Sequence, residues 1–218
     1  MTKNLFLFPL GTTVNSGFVP QLLNLKSWCD GNDSKVLTSI GKMNTCSSRN
    51  ILCTLGFGPQ KPVPDDVEYF ILVEPDIIFN EKHMEILSKT KHPFVFGWRS
   101  ADISNNVIMA GKWDDEYYSK NKKMPLFSLS EMRELEDKEP SREIEVDFAS
   151  FGFVRIHRSI LENMKYPFFR TNIQELDGNT DLMPDDISFC LNCYSETGIR
   201  PVIIPGLHIL ELTNVPIP

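Results

Sequence analysis

The chain has 218 residues and no long apolar run: Leu5 to Leu10, the longest near the amino terminus, falls far short of the ~20 residues a membrane helix needs. A signal-peptide layout is missing as well, so the expectation is a soluble, cytoplasmic protein. Positive charge is scarce. Twenty-two Lys and Arg against 29 Asp and Glu give a net charge of −7, which excludes a broad electrostatic footprint for nucleic acid and leaves room only for a local basic pocket. The five cysteines, Cys29, Cys46, Cys53, Cys190 and Cys193, cannot all pair, and Cys190 and Cys193 lack a second pair at zinc-finger spacing. Buried thiols in a reducing compartment are expected. There is no internal repeat and no low-complexity tract. The length suits one sizeable core, hence a single domain over 1–213 with an insert at about 100–146.

What the chain does have is a stretch from Tyr69 to Asn80 in which an unbroken apolar run ends in Glu74-Pro75-Asp76. Such a run predicts a strand buried on both faces. Residues two apart in extended chain point the same way, so Glu74 and Asp76 can converge on one cation. Pro75 cannot donate to a ladder and marks the change from strand to loop. Hard carboxylate oxygens suit Mn²⁺ or Mg²⁺, and such ions bridge to diphosphates. The plainer alternative is one carboxylate capping the following helix and the other solvated.

The rest of the pattern alternates strands and helices. Asn4 to Pro9 predicts a first strand, Phe18 to Trp28 a helix with Phe18, Leu22, Leu25 and Trp28 on one face, and Ser34 to Ile40 a second strand, a βαβ opening. Ser47 to Leu52 looks like a capped helix start. Glu81 to Lys89 predicts a helix and Pro93 to Trp98 a strand. Between Arg99 and about Glu145 the periodicity loosens, with a hairpin expected over Asn105 to Trp113 and a charged, solvent-facing helix over Ser130 to Glu139. A long insert of this kind is usually functional or mobile, and it reads as an acceptor-side lid or a plain surface excursion. Val146 to His157 predicts one strand containing Gly152, Ser159 to Met164 a brief helix, and Arg170 to Pro184 a polar loop. Asp185 to Thr197 predicts a helix with an acidic first turn, ended by Gly198, and Arg200 to Ile204 a last strand. Residues 214–218 resemble the start of a linker to further domains. The fold class expected is α/β, a mixed but mostly parallel central sheet flanked by helices.

Taken in order, the Pro9-Leu10-Gly11 turn, Ser48-Arg49-Asn50, Glu74-Pro75-Asp76, and Gly152 followed by Pro167-Phe168-Phe169 and Asp185-Asp186 resemble the GT-A class of nucleotide-sugar glycosyltransferases, over about Asn4 to Leu212. More narrowly, the chain resembles an N-terminal glycosyltransferase domain of multidomain chlorovirus proteins that build capsid glycan, which would place it in host cytoplasm. The resemblance implies transfer of a hexose or deoxyhexose from a UDP-sugar, of the UDP-glucose or UDP-rhamnose class, to a glycan acceptor, with Mn²⁺ or Mg²⁺ as cofactor.

Residue by residue, the resemblance puts Glu74 and Asp76 at the family's Asp-x-Asp motif, with Glu74 a methylene longer than the usual first acid and Asp76 the firmer ligand. It puts Pro9, Leu10, Gly11 and Thr12 against base and ribose, and Arg49 near the donor, where a guanidinium suits a diphosphate. An ordinary exposed helix residue is the alternative for Arg49. Gly152 would let backbone approach the sugar, or else form a bulge. Asp185-Asp186 matches an acidic pair near the acceptor that serves as base or as electrostatic support, although helix capping alone selects the same residues. His208 falls where some members carry a late metal ligand, the alternative being a structural histidine. Trp98 and Trp113 could stack on a sugar or pack in the core.

Rival classes fit less well. A haloacid-dehalogenase-type phosphatase needs its nucleophilic aspartate after the first strand, and a sugar nucleotidyltransferase needs a glycine-rich opening that Gly11-Thr12-Thr13-Val14 does not supply. A non-catalytic glycan- or partner-binding module, derived from a transferase, is the alternative from another class, with Glu74 in place of Asp as its support.

Overall fold

The computed structural model describes residues 2–10, 16–40, 44–56, 63–102, 104–121, 123–176 and 179–212. Strand β1 (Thr2–Leu10) leads to helix α1 (Phe18–Asp30), β2 (Ser34–Ile40) and α2 (Thr45–Cys53). Next come β3 (Val67–Val73), the two-residue β4 (Ile77–Ile78), α3 (Glu81–Lys89) and β5 (Phe94–Trp98). The insert holds β6 (Ser100–Asp102), β7 (Val107–Gly111), α4 (Asp115–Asn121), β8 (Leu126–Ser128), α5 (Leu129–Lys138) and β9 (Ile144–Glu145). After it follow β10 (Phe148–Ala149), β11 (Phe153–His157), α6 (Arg158–Asn163), β12 (Ile173–Leu176), β13 (Asn179–Leu182), α7 (Asp185–Thr197), β14 (Val202–His208) and β15 (Leu210–Glu211).

The apolar runs behave as strands covered on both sides. Leu5, Leu7, Phe70 and Leu72 enter one buried cluster while the intervening Phe6, Phe8, Ile71 and Val73 enter the other, so adjacent strands β1 and β3 feed a core on each face of the sheet. Among the described residues that sheet has seven strands in the order β2-β1-β3-β11-β5-β14-β9. Strands β1, β2, β3, β5 and β14 run one way, and β11 and β9 run the other. This is the mixed, mostly parallel α/β architecture expected from the sequence, and it brings the carboxyl ends of β1, β3, β5 and β14 to one edge.

Several local expectations are corrected. Val146 to His157 is not one strand: Glu145 pairs with β14, Phe148 and Ala149 pair with β7, and only Phe153 to His157 lies between β3 and β5. The break occurs where the Asp147 carboxylate accepts from Trp113 N at 2.9 Å and pairs with Arg200, which turns the chain from one sheet into another. The polar loop of Arg170 to Pro184 contains the hairpin β12-β13, and the last long strand runs on to His208. Helix α2 is capped by Asn44, whose side chain accepts from Ser47 N, so Ser47 and Ser48 lie inside the helix.

The insert is anchored along its length. The hairpin lies earlier than the Asn105 to Trp113 expected: β6 (Ser100–Asp102) pairs with β7 (Val107–Gly111), which alone falls in that range, and both join β8 and β10 in a second sheet. Helix α5 is not purely solvent-facing: it buries Leu129 and Met132 and packs against β14. Gly206 N donates to Pro140 O at 2.8 Å, and β9 closes the edge of the main sheet. These contacts join the described parts of the segment to the main sheet at several points.

Candidate functional site

Strand β3 ends at Val73, and the turn beyond it is held by backbone: Glu74 N donates to Gly152 O at 3.0 Å and Ile77 N to Glu74 O at 3.1 Å. On the far side, Leu212 N donates to Asp76 O, and β15 pairs antiparallel with β4, Glu211 opposite Ile77. Glu74-Pro75-Asp76 is therefore a fixed acidic corner at the carboxyl edge of the sheet. Asp76 Oδ1 is buried and has no hydrogen-bond partner among the described residues. A buried carboxylate oxygen left unsatisfied costs free energy unless a cation or donor arrives. That oxygen fits a bound divalent metal.

Helix α2 delivers Arg49, which is only 3% exposed. Its Nη2 donates to Glu74 Oε1 at 2.8 Å, its Nη1 to Asp185 Oδ2 at 2.6 Å, and its guanidinium lies 4.5 Å over the Phe151 ring. The exposed-residue alternative for Arg49 is thereby excluded. Asp185 opens α7, and its carboxylate also accepts from Cys46 Sγ at 3.5 Å. Asp186, next along, accepts from Ile187 N at 2.8 Å. Burial pushes the Asp186 carboxyl above its ordinary range, with the Asp185 charge adding to the effect and the Ile187 N–H and Arg49 opposing it. Burial likewise raises Glu74; Arg49 and Arg99 pull it down, while Asp76 and Asp186 push it up. Glu74 thus feels two arginines and two further acids, the mark of one shared electrostatic cluster.

Beside Asp185 an open cavity of about 540 Å³ is lined by Asn44, Thr45, Cys46, Thr171 and Met183. Burial raises the Cys46 thiol there, as does the neighbouring Asp185. The cavity is large enough for a sugar-sized group.

The remaining predicted residues divide sharply. Pro9 and Leu10 end β1, in register with Ser39 and Ile40, at the same sheet edge as Glu74 and half-buried. Gly11 and Thr12 lie outside the described residues. Gly152 sits against the acidic corner through its carbonyl, but a Cβ there would meet Ile77 Cδ1 at 3.0 Å and Ile209 Cδ1 at 3.2 Å. Its missing side chain accommodates the β4-β15 ribbon, so the close approach it permits is between parts of this chain.

His208 is not beside the acids. It ends β14, three strands from β3 in the order β3-β11-β5-β14, which at the usual spacing is about 14 Å along the sheet. Its ring stacks on Trp98 at 4.1 Å and its Nδ1 lies 3.3 Å from Glu136 of α5. Burial lowers its pKa, against the pull of Glu136. Among the described residues no group of three His, Cys, Asp or Glu side chains stands together as a metal cage, and His208, engaged with Trp98 and Glu136, does not join Glu74 and Asp76. Trp98 is buried with Nε1 donating to Pro205 O at 2.8 Å, and Trp113 donates to Asp115 and stacks on Tyr118. Both tryptophans are thus engaged within the chain.

Sequence reasoning missed Arg99, Glu211, Phe151 and Cys46. Arg99 alone left a signal: it directly follows the apolar run Pro93 to Trp98, hence the carboxyl end of a strand. The others depend on pairings across long stretches of chain.

No protein family and no curated protein matches the chain. Solved structures resemble it: A197 from STIV, at 15% identity with a TM-score of 0.52 over 98% of this chain and 95% of that one, and the inositol-1-phosphate CTP transferase from T. maritima, at 9% identity with a TM-score of 0.44 over 93% and 85%. The first likeness is one of fold. The second is too loose to carry an argument.

Proposed function

We propose that this chain is a metal-dependent glycosyltransferase that moves a hexose or deoxyhexose from a nucleotide sugar, a UDP-sugar by resemblance, to a glycan acceptor. The observation that carries the reading is the buried Asp76 oxygen without a partner, at the carboxyl edge of a mostly parallel sheet and within one electrostatic cluster with Asp185 and Asp186. Asp76, with Glu74 beside it, would hold Mn²⁺ or Mg²⁺. When bound, that ion neutralises the diphosphate as the sugar–phosphate bond breaks.

The chain's own residues have separable tasks in this reading. Arg49 holds Glu74 and Asp185 in fixed positions, one on each guanidinium nitrogen. Asp185, held by that cation at 2.6 Å, orients the site. Among the described residues no arginine forms an ion pair with Asp186, and burial raises its carboxyl against the weaker pull of Arg49, so it is the better proton acceptor for an acceptor hydroxyl. In a retaining reaction the same carboxylate would instead stabilise charge at the anomeric carbon. The cavity beside Asp185 supplies room for the acceptor. By the same resemblance the transfer would serve viral capsid glycan synthesis in host cytoplasm.

Calorimetric titration with UDP-glucose and UDP-rhamnose, with and without Mn²⁺, tests the proposal. Binding that requires the metal, together with metal-dependent hydrolysis of the bound sugar nucleotide, is expected; metal-independent binding or none would end it. The second reading, a non-catalytic glycan-binding module, draws on the way Arg49 already neutralises Glu74 and Asp185. Saturable glycan binding without metal or turnover would favour it.

A further inference from the structure

We propose that Arg99 is the diphosphate-gripping cation of the donor site, held in readiness by Glu211 and exchanging that carboxylate for a phosphate oxygen when donor binds. The inference rests on the donor-site reading above and names the residue that recognises the anionic part of the substrate. Arg99 directly follows β5, at the same sheet edge as Glu74, and Met109 N donates to its carbonyl at 3.0 Å, which fixes its backbone. Its Nη1 pairs with Glu211, and Glu211 lies opposite Ile77 in the short ribbon whose next residue, Leu212, donates to Asp76 O. Arg99 is thus tied to the acidic corner through the ribbon that Leu212 fastens to Asp76, and its charge acts on Glu74.

The corner carries Glu74, Asp76, Asp185 and Asp186, so an anionic ligand needs counter-charge from the protein as well as from a metal. Arg49 is already committed to two carboxylates and the Phe151 ring. Arg155 is engaged by the carbonyls of Leu87, Thr90 and His92 on the sheet's amino-terminal side. Arg99 has the looser arrangement: its carboxylate partner has a side chain 43% exposed, and its own is 23% exposed. Exposed ion pairs contribute little, whereas a diphosphate oxygen offers a strong charge-assisted acceptor. The Arg99 Nε is buried without a partner. The same is seen at Arg155 and Arg200, so it is the position at the acidic corner that singles Arg99 out.

Three probes read the proposal in the presence of Mg²⁺: UDP, uridine and inorganic pyrophosphate, each titrated against wild type, Arg99→Gln and Glu211→Gln. Arg99→Gln is expected to weaken UDP and pyrophosphate roughly tenfold or more, with uridine affinity unchanged. Glu211→Gln, which removes the competing carboxylate, is expected to tighten both phosphate ligands several-fold. Equal loss of UDP and uridine in Arg99→Gln would make Arg99 a structural support and overturn the proposal, as would unchanged UDP affinity. Should Arg99→Gln not fold, Glu211→Gln decides: unchanged or weaker pyrophosphate binding overturns it. A wild type that binds pyrophosphate through Arg99 yet prefers UDP no more than pyrophosphate would sustain this inference while ending the nucleotide reading. A wild type that binds neither would end both.

Discussion

Arg49 and Asp185 are 136 residues apart in the chain and meet at 2.6 Å, joining the second helix to the start of the last one. The same guanidinium reaches Glu74 at the end of the central strand, so one buried cation ties together three elements that supply the candidate site. Two acids held this close would repel each other without it. The site's geometry and part of the fold's stability therefore depend on one side chain.

Replacing Arg49 by Met leaves Glu74 and Asp185 facing each other with no counter-charge. Removing one partner of a buried pair costs several kcal/mol. Both acids retain some exposure, 29% and 31% of their side chains, which lowers the expected loss to roughly 2–4 kcal/mol. Urea unfolding of Arg49→Met reads this directly, and an unchanged midpoint would show that the bridge contributes nothing. Arg49→Lys, with a single ammonium that cannot fork to two carboxylates, should fall in between.

Asp76 predicts the opposite signature. Its Oδ1 is buried and unpartnered, so Asp76→Asn should leave stability within about 0.5 kcal/mol of wild type or raise it. Metal-dependent binding of a UDP-sugar should be abolished. Retained affinity with intact Mn²⁺ dependence would remove Asp76 from the site.

His83 gives a pH test of the fold away from the acids. Its Nδ1 accepts from Asn80 N at 3.2 Å in the cap of α3, which requires that nitrogen unprotonated, and burial lowers its pKa to about 4 from 6.5. A depressed folded pKa means that the contribution is fully present above 6.5 and is lost as pH falls through about 4. Thermal stability of wild type relative to His83→Gln, whose amide oxygen can take the same cap N–H without titrating, should decline across that window. A constant difference would refute the assignment.

Much of this arrangement was legible before any coordinates. Ser34 to Ile40, Glu81 to Lys89 and Asp185 to Thr197 form the elements expected of them, because local periodicity and caps set those boundaries. Glu74 and Asp76 lie at a strand end because Val73 closes a run buried on both faces. What stayed hidden is non-local. Nothing in Val146 to His157 shows that Asp147 will be drawn to Trp113 and Arg200 and split the strand, and nothing near Arg49 announces acids that follow 25 and 136 residues later. His208 misled for a related reason: a late histidine after an apolar strand is equally consistent with an acid beside it from the insert, and Glu136 supplies that acid.

Asp186 joins stability to mechanism. Its folded pKa is raised mainly by burial, so its contribution to stability is fully present below the ordinary carboxylate range and is lost as pH rises through the folded value. At neutral pH the charged form is held against its environment. Asp186→Asn should therefore be more stable than wild type at pH 7, and the difference should shrink on acidification. If Asp186 accepts the acceptor's proton, the same change should slow sugar transfer by about 10²–10⁴ while sparing UDP-sugar affinity, and wild-type transfer should fall as pH drops through the raised carboxyl. A variant that gains stability yet transfers at the wild-type rate would show the burial to be structural and would shift the role to Asp185. A variant that loses both stability and donor binding would show that Asp186 supports the corner around Arg49 and takes no part in the proton's path.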